Sequence, residues 1–144
     1  CAGEGVHVVI ETMRGHRLGR IIRQGSAEPN TGVPGVIAGY SRERVIHSPA
    51  EGNMKECAAI GQTVSKGDVI AYVGGVPVYA TIDGVLRGLL HGGLNVPVGF
   101  KIADIDPRIS EQSNCVTISD KARTIAGGVL QAVLMYGNVH GWEV

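Results

Sequence analysis

What most limits the fold of this chain is that part of it occurs twice. Ala50–Gly74 laid on Ile82–Asp106, an offset of 32 residues, matches without a gap. Gly52 falls on Gly84, Gly61 on Gly93, Val64 on Val96, Gly67 on Gly99, Ile70 on Ile102 and Ala71 on Ala103. Glu51 and Asp83, Met54 and Leu86, Lys55 and Arg87, and Val73 and Ile105 are chemically similar pairs. A solenoid needs at least three copies, so two copies predict interlocked halves about a pseudo-twofold axis. Each half reads as an acid-Gly step, a short strand, a turn and a second strand. Gly67 and Gly99 fall where a type II turn wants positive φ. Val64 and Val96 should point inward, and Ile70 and Ile102 should lie on the next strand of the same core.

Composition agrees. The chain has 144 residues, 22 of them Gly, and only 4% are aromatic, so a core must come from Val, Ile, Leu and Ala on short strands. The expected fold class is mainly β (β-rich α+β), with an N-terminal β-hairpin and one C-terminal amphipathic helix. Lys plus Arg and Asp plus Glu each number 13, which argues against a nucleic-acid partner, since such binding needs a basic face. No apolar run approaches the roughly 18 residues of a membrane span, so no membrane partner is expected. Cys1, Cys57 and Cys115 form no CxxC pair, and predict neither a metal site nor a disulfide framework. Cys57 and Cys115 read as small buried hydrophobes, and the compartment as a reducing cytoplasm. His7, His16, His47, His91 and His140 lack metal-ligand spacing. Asp104 and Asp106 read as a strand end and an Asp-Pro turn. Because the first residue is Cys rather than Met, a processed or truncated chain is expected, and a lipidated Cys1 is conceivable.

The flanks carry the polar features. Gly5–Gln24 reads as a hairpin turning at Arg14-Gly15-His16, with Arg14, Arg17, Arg20 and Arg23 three apart. Strand alternation would put such a spacing on opposite faces, so one cluster and a merely solvated hairpin both stay open. Glu28-Pro29-Asn30-Thr31-Gly32 follows as a stiff polar loop. Ser119–Tyr136 reads as a helix, with Ser119 as N-cap. Its apolar stripe comprises Ala122, Ile125, Ala126, Val129, Leu130, Val133 and Leu134. Gly127-Gly128 lowers helix propensity, a cost that close approach of a strand would explain. Lys121 and Arg123 stand at the helix start beside free N–H groups. The domain plan is a single domain over 1–144: hairpin and loop in 1–40, the duplication in 41–112, a strand and helix in 113–136, and a tail in 137–144. The candidate ligand site is Glu28, Asn30, Thr31 and Gly32 with His16 and Arg20, joined by Lys121 and Arg123 if the helix packs nearby. The ligand would be anionic, a phosphate-bearing pterin or an oxyanion. Catalytic residues are unknown.

The duplicated segment resembles the barrel-sandwich hybrid of biotinyl and lipoyl carrier domains, with its two quasi-symmetric β halves. Carriers hold a modified lysine on the hairpin between halves, and the matching window Tyr72–Val78 has none, so no lipoyl or biotinyl group is expected. Four further stretches, starting at Val9, Gly25, Asp83 and Ile118, resemble the selenium-dependent molybdenum hydroxylase system proteins, the YqeB-like family. The family's glycine-rich, nucleotide-binding-like N-terminal half is absent from this sequence. The resemblance implies an accessory protein for maturation or assembly of a molybdenum hydroxylase. Its partners would be that hydroxylase or its maturation proteins, and molybdenum cofactor contact would follow. A homo-oligomer stays open. A non-catalytic binding domain is the favoured class. The alternative is an enzyme acting on the cofactor or on a selenium donor, with Cys57 or Cys115 as nucleophile.

Overall fold

The repeat governs how the strands are laid out. The computed structural model describes residues 1–140, with side chains through Gly137. Two compact units form, one of Gly32–Thr117 and one of Cys1–Thr31 with the described residues from Ile118 on.

In the unit Gly32–Thr117 eight strands build two four-stranded antiparallel sheets. The strands are β3 (Val45–His47), β4 (Gly52–Glu56), β5 (Thr63–Val64), β6 (Val69–Val73), β7 (Val76–Tyr79), β8 (Gly84–Leu89), β9 (Asn95–Val96) and β10 (Lys101–Asp106). Their orders are β3-β10-β8-β5 and β7-β6-β4-β9. Moving each strand by 32 residues turns one order into the other, so each sheet takes two strands from each half. Register follows the same rule. Val64 pairs with Gly84 as Val96 pairs with Gly52, and Lys101 pairs with His47 as Val69 pairs with Tyr79. The turns match as well. Asp68 N–H donates to the Ser65 carbonyl and Phe100 N–H to the Pro97 carbonyl, around Gly67 at φ 97° and Gly99 at φ 77°. These are the expected glycine turns.

The equivalence also covers residues whose identities do not match. β3 and β7 share no identical residue in register, yet Ile46 and Val78 are both buried. The core is made of equivalent pairs from the two halves: Met54 with Leu86, Val64 with Val96, Ile70 with Ile102, and Val73 with Ile105, all buried. Apolar burial of this kind stabilises by roughly 25 cal/mol per Å². Gly52 and Gly84 open β4 and β8 at φ 143° and 155°. A Cβ on Gly52 would lie 2.6 Å from Gly74 Cα, and one on Gly84 would collide with the Asp106 carbonyl. Positive φ and lack of space both demand glycine there. The halves diverge in β8, where the register shifts between Asp104 and Ile105 pairings and leaves Arg87 as an extra residue, a β-bulge. Residues 113–116 supply no strand. Ile109–Val116 is a 3-10 helix, because Pro107 and the Asp106 side chain turn the chain out of the sheet.

The other unit consists of the hairpin and the helix. β1 (Val9–Ile10) pairs with β2 (Ile21–Ile22). α1 spans Asp120–His140, so the expected tail is helical as far as His140, and 141–144 lie outside the described residues. Ser119 Oγ accepts the Ala122 N–H at 3.1 Å, the expected N-cap bond. The expected apolar stripe is not the packed face. Val129, Leu130, Val133 and Leu134 are 43–59% exposed, while Gly128 and Ala132 are buried. A Cβ on Gly128 would strike the Gly19 carbonyl. Close backbone approach therefore selects the small-residue face and turns the larger apolar residues outward.

Candidate functional site

The hairpin is held by Glu11. Its N–H donates to the Arg20 carbonyl at 2.9 Å, and its carbonyl accepts the Gly19 N–H at 2.8 Å. Its carboxylate is buried and accepts N–H bonds from Met13 at 2.7 Å and Glu28 at 3.0 Å. The Glu28 and Met13 amides hold this carboxyl below the usual carboxylate range, burial opposes them, and the Arg17 charge assists. One side chain thus ties the hairpin turn to the start of the Glu28 loop.

Structure divides the four arginines. Arg14 makes a bidentate pair with Asp120, at 2.8 and 3.0 Å. Arg17 lies 3.8 Å from Glu28. Arg20 and Arg23 instead line a concavity of about 430 Å³ between the hairpin and α1, with His16, Leu18, Gly19, Ile21, Gln131 and Met135. Among the described residues no carboxylate pairs with either guanidinium. A three-residue spacing reaches one hollow because β2 is only two residues long, so strand alternation does not separate Arg20 from Arg23. Arg23 Nη2 lies 3.9 Å from the Met135 sulfur, which joins the cationic part of the lining to its apolar part.

Of the expected site residues, His16 and Arg20 come together there. Glu28 sits with Arg17, outside the lining. Lys121 and Arg123 occupy the first turn of α1 and do not line the hollow either. Asn30, Thr31 and Gly32 are each engaged in an interaction of their own. Gly32, at φ 65°, begins the other unit. Sequence reasoning missed Arg23, Gln131 and Met135 as lining. The one signal for them was Gln131, the polar residue within the apolar stretch Gly127–Tyr136.

The unit Gly32–Thr117 has a hollow of about 410 Å³ beside β8 and β10, lined by Arg87, Gly88, Leu89, Leu90 and 101–104. Its charges are engaged. Arg87 bonds Asp106 at 3.1 Å, and Lys101 lies 3.8 Å from Asp104. Asp106 is buried and also takes Arg108 Nη2 at 2.8 Å, Nε at 3.0 Å and the Arg108 N–H at 3.0 Å. The Arg108 bonds outweigh burial and lower its pKa to about 2. This is the Asp-Pro strand end expected from sequence, built as an ion-paired stop. Arg44 is buried as well, bonded to the Ile105 carbonyl at 3.2 Å and to Asp104 at 3.3 Å.

The cysteines differ from expectation. Cys57 is exposed and Cys115 half-buried, because Cys57 follows the end of β4 and Cys115 lies on the 3-10 helix. Neither thiol has a hydrogen bond to a His or Arg among the described residues. Among those residues no group of three His, Cys, Asp or Glu is placed to hold a metal ion, and no helix is long and apolar enough to cross a membrane.

No family model matches the chain. It is 52% identical over 134 residues to the "Uncharacterized protein YqeB" of Escherichia coli K12, a match covering 93% of this chain. This supports a YqeB-like relationship across the matched residues. The chain spans about a quarter of that relative's length. Among solved structures, an aspartoacylase family protein from Mesorhizobium loti matches 46% of this chain and 24% of its own, with 16% identity and a TM-score of 0.40. A likeness that small decides nothing about fold or chemistry.

Proposed function

We propose that this chain is a non-catalytic accessory domain, acting in the cytoplasm in the maturation or assembly of a selenium-dependent molybdenum hydroxylase, and that it binds an anionic ligand between its hairpin and α1. Resemblance of the Val9, Gly25, Asp83 and Ile118 stretches to that system supports the hydroxylase role, with the hydroxylase or its maturation proteins as partners. One observation carries the anion site: Arg20 and Arg23 share a hollow and neither has a carboxylate partner among the described residues. Guanidinium groups bind phosphate and oxyanions through paired donors. A phosphate-bearing pterin suits this donor set. Arg20 and Arg23 would hold its phosphate, and Gln131 offers both a donor and an acceptor.

Native mass spectrometry of the protein purified from its source cells tests the reading. A phosphate-bearing small molecule or a hydroxylase subunit should co-purify with the protein. The Arg20→Ala, Arg23→Ala double variant should lose the small molecule. Unchanged hydroxylase activity and selenium content in cells lacking the protein would contradict the accessory role.

The second reading is an enzyme acting on the cofactor or a selenium donor, and the exposure of Cys57 favours it. A thiol becomes a strong nucleophile when a cation or base lies beside it, and among the described residues no such neighbour bonds Cys57. Alkylation settles the matter. Rapid, selective labelling of Cys57 at neutral pH would favour the enzyme, whereas slow labelling favours the accessory domain.

A further inference from the structure

The size and lining of the hollow narrow the ligand class. A bare oxyanion fills on the order of two or three waters' share of volume, about 30 Å³ each. The hollow is an open groove of about 430 Å³, more space than a free ion fills. A free ion would leave most of it to solvent.

The lining has two chemistries. Arg20 and Arg23 supply two guanidinium groups, each with a planar fork of N–H donors. Leu18, Ile21 and Met135, all half-buried, supply apolar surface. The 3.9 Å contact of Arg23 Nη2 with the Met135 sulfur places the two side by side. A thioether is polarizable and packs well against a ring. Two cations with no carboxylate partner among the described residues match a dianion, and apolar surface next to them matches an uncharged body attached to it. Gln131 adds a donor and an acceptor for a polar ring edge.

We infer that the hollow takes a phosphate monoester of an apolar or aromatic group, its dianionic phosphate on Arg20 and Arg23 and its body on Leu18, Ile21 and Met135. This rests on the anion reading proposed above, and adds that Leu18, Ile21 and Met135 hold the body of the ester. The same reasoning does not hold for the hollow beside β8 and β10, where Arg87 and Lys101 already face Asp106 and Asp104.

Calorimetric titration of the whole chain with phenyl phosphate, inorganic phosphate and phenol tests it. Phenyl phosphate should bind at least tenfold more tightly than either of the other two. Met135→Ala should reduce that preference while leaving inorganic phosphate unchanged. Arg23→Gln should weaken both phosphates without moving the melting temperature. Equal affinity for phenyl phosphate and inorganic phosphate would overturn the ester inference and leave the anion reading intact. Phenol binding as well as phenyl phosphate would overturn the role of the charge. No binding of either phosphate would overturn the ester inference and the anion reading together.

Discussion

In Gly32–Thr117 each buried charge has an opposite partner. Arg44 is bonded to Asp104, and Arg87 and Arg108 close on Asp106. In the hairpin-and-helix unit Arg14 and Arg17 have acidic partners, and Arg20 and Arg23 lie in a hollow without one among the described residues. The contrast follows from construction. A duplicated scaffold repeats its turns, registers and core, and where its halves diverge, at the bulge, the Arg87 charge is paired with Asp106. The hairpin has no such copy to satisfy. Its shortness brings Arg20 and Arg23 to one side, and Gly128 brings the helix close enough to wall the hollow. The proposed anion site therefore lies in the unit without the repeat.

Breaking the scaffold should have the largest effect. Gly84→Ala forces a Cβ into the Asp106 carbonyl at a φ that L side chains avoid, and Gly52→Ala does the same against Gly74. Each should cost about 3 kcal/mol or more, read from urea melts. Next comes the Asp106 stop. Folding lowers its pKa from 3.8 to about 2, so the unfolded state binds the proton more tightly. The stabilisation is whole above pH 3.8 and is lost as pH falls through about 2. It amounts to about 2 kcal/mol. Asp106→Asn should be destabilised near neutrality, and its stability should fall less between pH 4 and pH 2 than the parent's. Gly67→Val and Gly99→Val sharpen the symmetry. Both glycines have positive φ and open space around a Cβ, so strain alone acts, and each should cost more than about 1 kcal/mol by nearly equal amounts. Melting of either variant at the parent's temperature would break the equivalence of the turns. Arg14→Ala should have the smallest effect, under about 1 kcal/mol, because its pair with Asp120 is exposed.

Much of the scaffold was legible in the sequence because positive-φ glycines and buried Val and Ile leave little choice of residue. Gly67, Gly99, Val64 and Val96 announced the repeat, and Ser119 the helix start. The equivalence of β3 and β7 was hidden, since Ile46 and Val78 share only their burial. The packed face of α1 was half legible: Gly127-Gly128 pointed to a close approach, which Gly128 makes at Gly19, whereas hydrophobic periodicity pointed to Val129 and Leu130. The site was only half legible. His16 and Arg20 were visible as polar residues near a turn, but the spacing left open whether Arg23 joins Arg20, and the two-residue β2 brings both to one hollow. Glu11, which ties the hairpin to the Glu28 loop, looked like any strand residue.

The central claim is that anion binding resides in the hairpin-and-helix unit. Two-dimensional NMR of the whole chain during titration with phenyl phosphate measures this directly. Saturable shifts should appear at the amides of 19–23 and at the Gln131 side chain, while the amides of 52–106 stay in place. Shifts concentrated around Arg87 and Lys101, or no saturable shift in the hairpin, would contradict the account.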